Sequence, residues 1–239
     1  MKKYITKLYK KSKESYYKIL EKDLKNKNKK FIVTINPETL MIAEKDIELK
    51  EILEDDSVSF VPDGIGVVKA AKMIGVDVKE RIPGIEIAEK LFEFANESKK
   101  SLYLFGAKQE VLNNLKEKIE KIYPNIKLLG MTNGYVENKD EEFQKIIKKE
   151  PDIVLVALGI PAQEKLIYKY FKDFKKGIFV GVGGSFDVLS GTKKRAPQIF
   201  IKTNTEWLYR ILKEPKRIKR FWDNNVKFIF KIRKENKND

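Results

Sequence analysis

The chain has 239 residues, 42% of them hydrophobic, with 50 Lys/Arg against 35 Asp/Glu, no histidine and no cysteine. That length holds one large α/β domain plus an appendage, and the missing Cys rules out disulfides and fits a reducing compartment. Without imidazole or thiol nearly every transition-metal site is excluded, and proton abstraction falls to a carboxylate or a lysine.

Residues 1–30 carry 12 Lys/Arg against 3 Asp/Glu, with Tyr and Leu at loose helical spacing. Such a start suits either an anionic surface or a solvated helix face. It lacks the apolar stretch of a signal peptide, and no run approaches the roughly 18 apolar residues of a spanning helix, so a cytoplasmic protein is expected.

Residues 31–35 read as a buried strand that runs into Asn36-Pro37-Glu38, and residues 58–61 as a second that ends at Pro62-Asp63-Gly64. Helical spacing follows over 65–74 and 85–94. Residues 102–105 form a third strand with the turn Gly106-Ala107-Lys108, then a helix over 111–122. A fourth strand at 126–129 leads to Thr132-Asn133-Gly134 and a helix over 143–147. The fifth, 153–158, meets Gly159-Ile160-Pro161 and a helix over 166–174, and the sixth, 178–182, meets Gly183-Gly184-Ser185. Alternating strands and helices predict an α/β fold with a mainly parallel, doubly wound, Rossmann-like sheet.

In that architecture the loops after the strands gather at one edge, which is where ligands bind. Gly106, Gly159, Gly183 and Gly184 lie in these loops. Several loops open a helix, whose free N–H groups suit phosphate, and this favours a nucleotide or sugar-phosphate ligand over a set of ordinary turns. Asp63, on a Pro-Gly turn just past a buried strand, is the best placed general base; the alternative is a cap for the helix beginning near Gly64.

After Arg195 the character changes. Residues 192–239 carry 15 Lys/Arg against 5 Asp/Glu, whereas 31–191 carry 23 against 27. Between 204 and 235, Trp207, Leu208, Ile211, Leu212, Ile218, Phe221, Trp222, Phe228, Ile229 and Phe230 alternate with basic residues, interrupted at Pro215. Two helices parted at that proline, each with an apolar and a basic face, would lie on an anionic membrane surface, or pack on the core with the basic side solvated. The expected division is a basic N-terminal segment (1–30), an α/β catalytic core (31–191) and a basic, helical, membrane-associating lid (192–239).

Several chemistries fail on the residues. The nearest approach to G-x-G-x-x-G, Gly181-Val182-Gly183-Gly184-Ser185-Phe186, lacks the third glycine, which argues against a dinucleotide enzyme. A phosphate-binding G-x-x-x-x-G-K-S/T loop and an Asp-x-Asp pair are both missing, and Asp55-Asp56 precedes its strand, at the wrong edge. No cofactor and no metal are therefore expected. A leaving diphosphate would need cationic side chains and helix N-termini instead of Mg²⁺.

The segments Val33-Thr34-Ile35-Asn36-Pro37-Glu38, Pro62-Asp63-Gly64-Ile65-Gly66, Arg81-Ile82-Pro83-Gly84, Ala157-Leu158-Gly159-Ile160-Pro161-Ala162-Gln163-Glu164 and Gly181-Val182-Gly183-Gly184-Ser185-Phe186-Asp187 resemble, in order and spacing, those of the WecG/TagA/CpsF glycosyltransferases. So do Arg195-Ala196-Pro197 and Glu206-Trp207-Leu208-Tyr209-Arg210 with Glu214-Pro215-Lys216-Arg217. The likeness covers residues 31–230. It implies inverting, metal-independent transfer from a UDP-sugar donor to a polyprenyl-diphosphate-linked sugar acceptor, by a protein peripheral on the cytoplasmic face of the membrane. In one branch N-acetylmannosamine passes from UDP to N-acetylglucosaminyl-diphospho-undecaprenol, for teichoic acid linkage. Others move glucose or N-acetylmannosaminuronic acid for capsule or exopolysaccharide.

Carried over by motif, Asp63 is the base that takes the acceptor proton, Thr34 and Asn36 hold substrate beside it, and Arg81 and Gln163 are polar positions of the same pocket. Arg210, Arg217 and Arg220 belong to a C-terminal lid that reaches the diphosphate. Without the resemblance Arg81 reads equally as a surface salt bridge and Gln163 as a helix cap. The Lys-rich residues 1–30 depart from the apolar strand and helix with which the family usually begins. They read either as a basic amphipathic helix at the membrane or as a diverged start. Self-association into a homo-oligomer stays open on sequence. The rivals are a nucleic-acid-binding protein that uses its basic ends, and a soluble nucleotide-sugar epimerase; the resemblance argues against nucleic acid as a partner.

Overall fold

The computed structural model describes residues 1–237, apart from the side chains of Arg217 and Lys237. Six strands, β1 (Lys29–Ile35), β2 (Val58–Pro62), β3 (Ser101–Gly106), β4 (Lys127–Thr132), β5 (Ile153–Ala157) and β6 (Gly177–Gly181), form one sheet in the order β2-β1-β6-β5-β3-β4. Every pairing is parallel. The expected Rossmann-like α/β architecture is thus present, and all six strand-end loops fall at the same edge.

Parallel strands covered on both faces need apolar side chains on both faces, and these runs supply them. Phe31, Val33, Ile35 and Phe179 point into one layer, while Ile32, Leu155, Ile178 and Val180 point into the other. The chain order of the helices is α1 (Lys2–Thr6), α2 (Lys13–Lys25), α3 (Pro37–Ala43), α4 (Ile47–Glu54), α5 (Ile65–Met73), α6 (Gly84–Glu97), α7 (Gln109–Ile122), α8 (Lys139–Lys149), α9 (Ala162–Phe171), α10 (Ser185–Leu189), α11 (Gln198–Lys202), α12 (Glu206–Lys213), α13 (Arg217–Phe221) and α14 (Lys227–Lys237). A π-helical turn, Trp222–Val226, joins α13 to α14.

The Lys-rich start is part of the body. Ser12 caps α2 by accepting from the Ser15 amide, and Tyr16, Leu20 and Leu24 recur every fourth residue to bury one stripe in the layer containing α6. Tyr4, Ile5 and Leu8 are buried in the opposite layer. The charges sit on the remaining face, so α1 and α2 are core-packed helices with a basic outer side, and Lys29 and Lys30 already belong to β1.

The C-terminal end is docked as well. Phe228 and Ile232 of α14 are fully buried, the Met1 ammonium pairs with Glu235, Lys231 pairs with Glu44, and the Asn236 amide donates to the Met73 carbonyl. The break at Pro215 lies between α12 and α13 as the sequence indicates. The second predicted helix is itself divided by the π-helical turn.

Candidate active site

Asp63 sits immediately beyond β2, and its position is fixed by backbone bonds on both sides. Its amide donates to the Ile35 carbonyl at the end of β1, and the Ile82 amide donates to the Pro62 carbonyl, which brings Arg81 alongside. Gly64 follows at φ 92, a conformation that L side chains rarely adopt, and this turns the chain directly into α5. The first turn of α5 receives no side-chain cap, so the capping alternative for Asp63 falls away.

The Asp63 carboxyl is half-buried by its accessible surface but densely surrounded by protein. Desolvation raises its pKa to about 6; the nearby Arg210 and Arg81 guanidinium groups work against that rise, while Glu206 and Glu86 add to it. A carboxylate in that range is a stronger base than an exposed aspartate and is still ionised at neutral pH.

β1 delivers Thr34 and Asn36 to the same edge. Thr34 is buried beside Gly84, the first residue of α6. Asn36 has a definite local task. Its Oδ1 accepts from the Thr39 amide at 3.0 Å while the Thr39 hydroxyl answers the Asn36 amide at 3.4 Å, a reciprocal box that starts α3 with Pro37 in the first turn.

Arg81 spends its guanidinium on the C-terminal segment. Nε donates to Asn204 at 2.6 Å, one terminal nitrogen to Glu206 at 2.6 Å and the other to the Ile201 carbonyl at 3.3 Å. Both side chains of the Arg81–Glu206 pair are only 13% exposed, so the surface-salt-bridge alternative understates it. Arg210, an exposed residue of α12, makes no ion pair among the described residues and is close enough to Asp63 to lower its pKa. Arg220 is exposed and paired with Glu38 of α3 at 2.8 Å. The Arg217 side chain lies outside the described residues.

The glycines differ in purpose. Gly106, at φ 114, lies so close to β5 that a Cβ would stand 2.3 Å from the Ala157 carbonyl oxygen, so its role is close backbone approach. Gly159 (φ 80) and Gly183 (φ 50) shape the β5 and β6 loops, and Gly184 opens α10 with free space around it. Gln163 bridges those two loops: its Oε1 accepts from Gly159 at 3.2 Å and from Gly183 at 2.9 Å.

Asp63, Thr34, Asn36, Arg81 and Arg210 are thus brought to one end of the β2-β1 half of the sheet. The β6 loop, with Gly183 and Gly184, adjoins them, and the β5 loop, with Gly159, comes next. Gly106 is farther along, on β3. A groove of about 1040 Å³ starts at Ile65 and Arg81 and runs between α2 and the segment that carries Ile201 and Asn204. Among the described residues no group of three or more acidic, His or Cys side chains could hold a metal ion. Glu206 and Glu164 stand out in the sequence only as members of motifs. Their partners become visible only in three dimensions.

The model of the glycosyl transferase WecG/TagA/CpsF family matches residues 5–239. The chain is 41% identical to the N-acetylglucosaminyldiphosphoundecaprenol N-acetyl-beta-D-mannosaminyltransferase of Bacillus subtilis, over 87% of this chain and 80% of that protein. It is 40% identical to the enzyme of the same name from Bacillus spizizenii, over 86% and 80%. For the Staphylococcus aureus enzyme the figures are 38%, 87% and 81%.

Proposed function

Because the chain belongs to the WecG/TagA/CpsF family of glycosyl transferases, we propose that it moves N-acetylmannosamine from UDP-N-acetylmannosamine to N-acetylglucosaminyl-diphospho-undecaprenol, with Asp63 as the catalytic base. The observation that carries the assignment of the base is the position of Asp63 at the ligand-facing sheet edge, half-buried, with its pKa raised to about 6 and a cationic guanidinium nearby. The Asp63 carboxylate takes the proton of the acceptor hydroxyl. The freed oxygen attacks the anomeric carbon from the face opposite UDP, the bond to the diphosphate oxygen breaks, and configuration inverts in one displacement.

Charge builds on the departing diphosphate, and Arg210 is the unpaired cation best placed to meet it. Arg220 could join only by leaving Glu38. Thr34 and Asn36 line the acceptor side, and the glycine loops of β5 and β6 the donor side. Metal independence is part of the proposal and is supported by the missing Asp-x-Asp pair and by the arginines of the C-terminal segment. The acceptor is a lipid, and the exposed apolar side chains of the same basic segment support a site on the inner face of the membrane.

The test is a transfer assay with a short-chain lipid-diphosphate acceptor, in EDTA, across pH. Wild type should turn over in EDTA and lose rate as pH falls through about 6, and Asp63→Ala should lose at least about a hundredfold, the usual scale for a general base. Turnover retained in Asp63→Ala removes the base assignment. Activity abolished by EDTA removes metal independence.

A further inference from the structure

Gln163 and Glu164, in the first turn of α9, are 2% and 1% exposed although both are polar. Gln163 Oε1 is committed to two backbone N–H groups, those of Gly159 and Gly183, and its Nε2 donates to Glu164 Oε1 at 2.8 Å. To span the two loops the side chain crosses Gly181 on β6, where a Cβ would stand 2.6 Å from the amide nitrogen. Gly181 therefore belongs to the same device: any larger residue there would lift the amide off both loops.

The orientation of that amide is set by its neighbours. Two N–H groups demand the oxygen on one side, and an acceptor on the other side demands the nitrogen. Glu164 is that acceptor. Its other oxygen, Oε2, is buried with no hydrogen-bond partner among the described residues, and burial raises the pKa of the carboxyl to about 7. A buried carboxyl with half its acceptor capacity idle costs stability, so its presence next to the ligand-facing loops calls for a function.

We propose that Glu164 is a positioning residue for donor binding: by fixing the amide of Gln163 it makes that side chain a strut that sets the spacing of the Gly159 and Gly183 loops, where the diphosphate half of a nucleotide sugar binds. Gln163 on this view does not touch the sugar or the nucleotide. The inference rests on the donor reading given above and adds to it.

Exchanging the pair tests it. In Gln163→Glu alone two carboxyls face each other; at about pH 9, where they no longer share a proton, the donor to Glu164 is gone, so affinity for UDP, measured by titration calorimetry at that pH for every variant, should fall about tenfold or more, the scale of one lost buried hydrogen bond. In Gln163→Glu/Glu164→Gln the carboxylate at 163 accepts both backbone N–H groups and the new amide at 164 donates to it, so the strut is rebuilt with its polarity reversed. UDP affinity should return to within about threefold of wild type. A double variant no better than Gln163→Glu would mean that the Gln163 amide meets the ligand directly, and would overturn the proposal. As a second variant, Glu164→Leu removes the acceptor and leaves the Gln163 amide free to turn; at a temperature where it is fully folded it should bind UDP about tenfold more weakly, whereas a purely structural role would lower the melting temperature and leave affinity of the folded protein unchanged. Wild-type protein that binds no UDP would instead take away the nucleotide-sugar reading underneath.

Discussion

Asp63 is under two opposed demands. The base role proposed for it wants a carboxylate withdrawn from water, and folding penalises that withdrawal. Its pKa is raised from the ordinary 3.8 to about 6 by desolvation, so the folded protein prefers the protonated form more than the unfolded chain does. Stability from this group is therefore fully present below about pH 4 and is lost as pH rises through about 6. Asparagine mimics the protonated acid without titrating. Asp63→Asn should thus melt higher than wild type at about pH 7–8, by an amount up to about 3 kcal/mol, and the difference should vanish near about pH 4. Equal melting curves on the alkaline side would show that the site is wetter than its surroundings suggest. Asp63 was legible in the sequence because a Pro-Asp-Gly turn after an apolar run has one natural place in a parallel α/β sheet. The partners of Arg81 were not, since Asn204 and Glu206 lie more than 120 residues along the chain. The place of Asn36 at the ligand-facing end of β1 was legible, but its local task there, capping α3, was not.

The near end of the C-terminal segment borders the groove and is held there by a small number of polar contacts rather than by a broad apolar face. Helices α11 and α12 bury no residue, whereas α14 buries Phe228 and Ile232, so the segment is anchored at its far end and latched at its near end by Arg81. A pair as enclosed as Arg81–Glu206 is costly to break from one side, because the remaining charge stays desolvated. Arg81→Glu and Glu206→Arg should each speed hydrogen exchange across residues 198–213 and cut transfer at least about tenfold; together they should restore most of both. Failure of the double variant to slow exchange would show that Arg81 serves substrate and not the latch. At this scale the sheet was readable throughout, since strands buried on both faces announce themselves as short apolar runs, although β4 continues to Thr132, past the last apolar residue predicted. Helices α3 and α4 were not legible. Each is short, at 7 and 8 residues, too few to show a clear period, and their starts depend on the Asn36 and Asp46 caps. The packing of the basic start was hidden for another reason: lysine is tolerated on any solvated helix face, so charge alone says nothing of the buried stripe of α2, which is only Tyr16, Leu20 and Leu24.

Across the whole molecule the exposed apolar side chains are unevenly placed. Ile199, Trp207, Leu208, Leu212, Ile218, Trp222 and Phe230 all lie on the C-terminal segment, and Trp207 stacks on Phe221 with ring centroids 4.3 Å apart. The same stretch contributes to the net positive charge of residues 192–239. No helix among the described residues is long and apolar enough to cross a membrane. The contact proposed above is interfacial, made by the exposed apolar side chains with basic residues around them. Two contributions would hold it there. Basic residues near an anionic leaflet add about 1 kcal/mol each and are screened beyond roughly 8 Å at physiological salt. Immersed Trp, Leu and Phe side chains add about 1.5–3 kcal/mol each and are insensitive to salt. Leu212→Ser/Trp222→Ser/Phe230→Ser, at positions 64%, 58% and 61% exposed, takes three of these seven side chains out of the second contribution with little cost to folding. Co-sedimentation with vesicles containing phosphatidylglycerol should weaken by at least about a hundredfold in this variant, and about 0.5 M salt should take away a larger share of what remains than it takes from wild type. A protein that used these charges for nucleic acid would behave in the opposite way: the triple variant would bind vesicles as wild type does, and a DNA duplex would compete for all of the binding. That result would leave the glycosyl transferase fold and Asp63 in place and remove the membrane from the account of how the acceptor arrives.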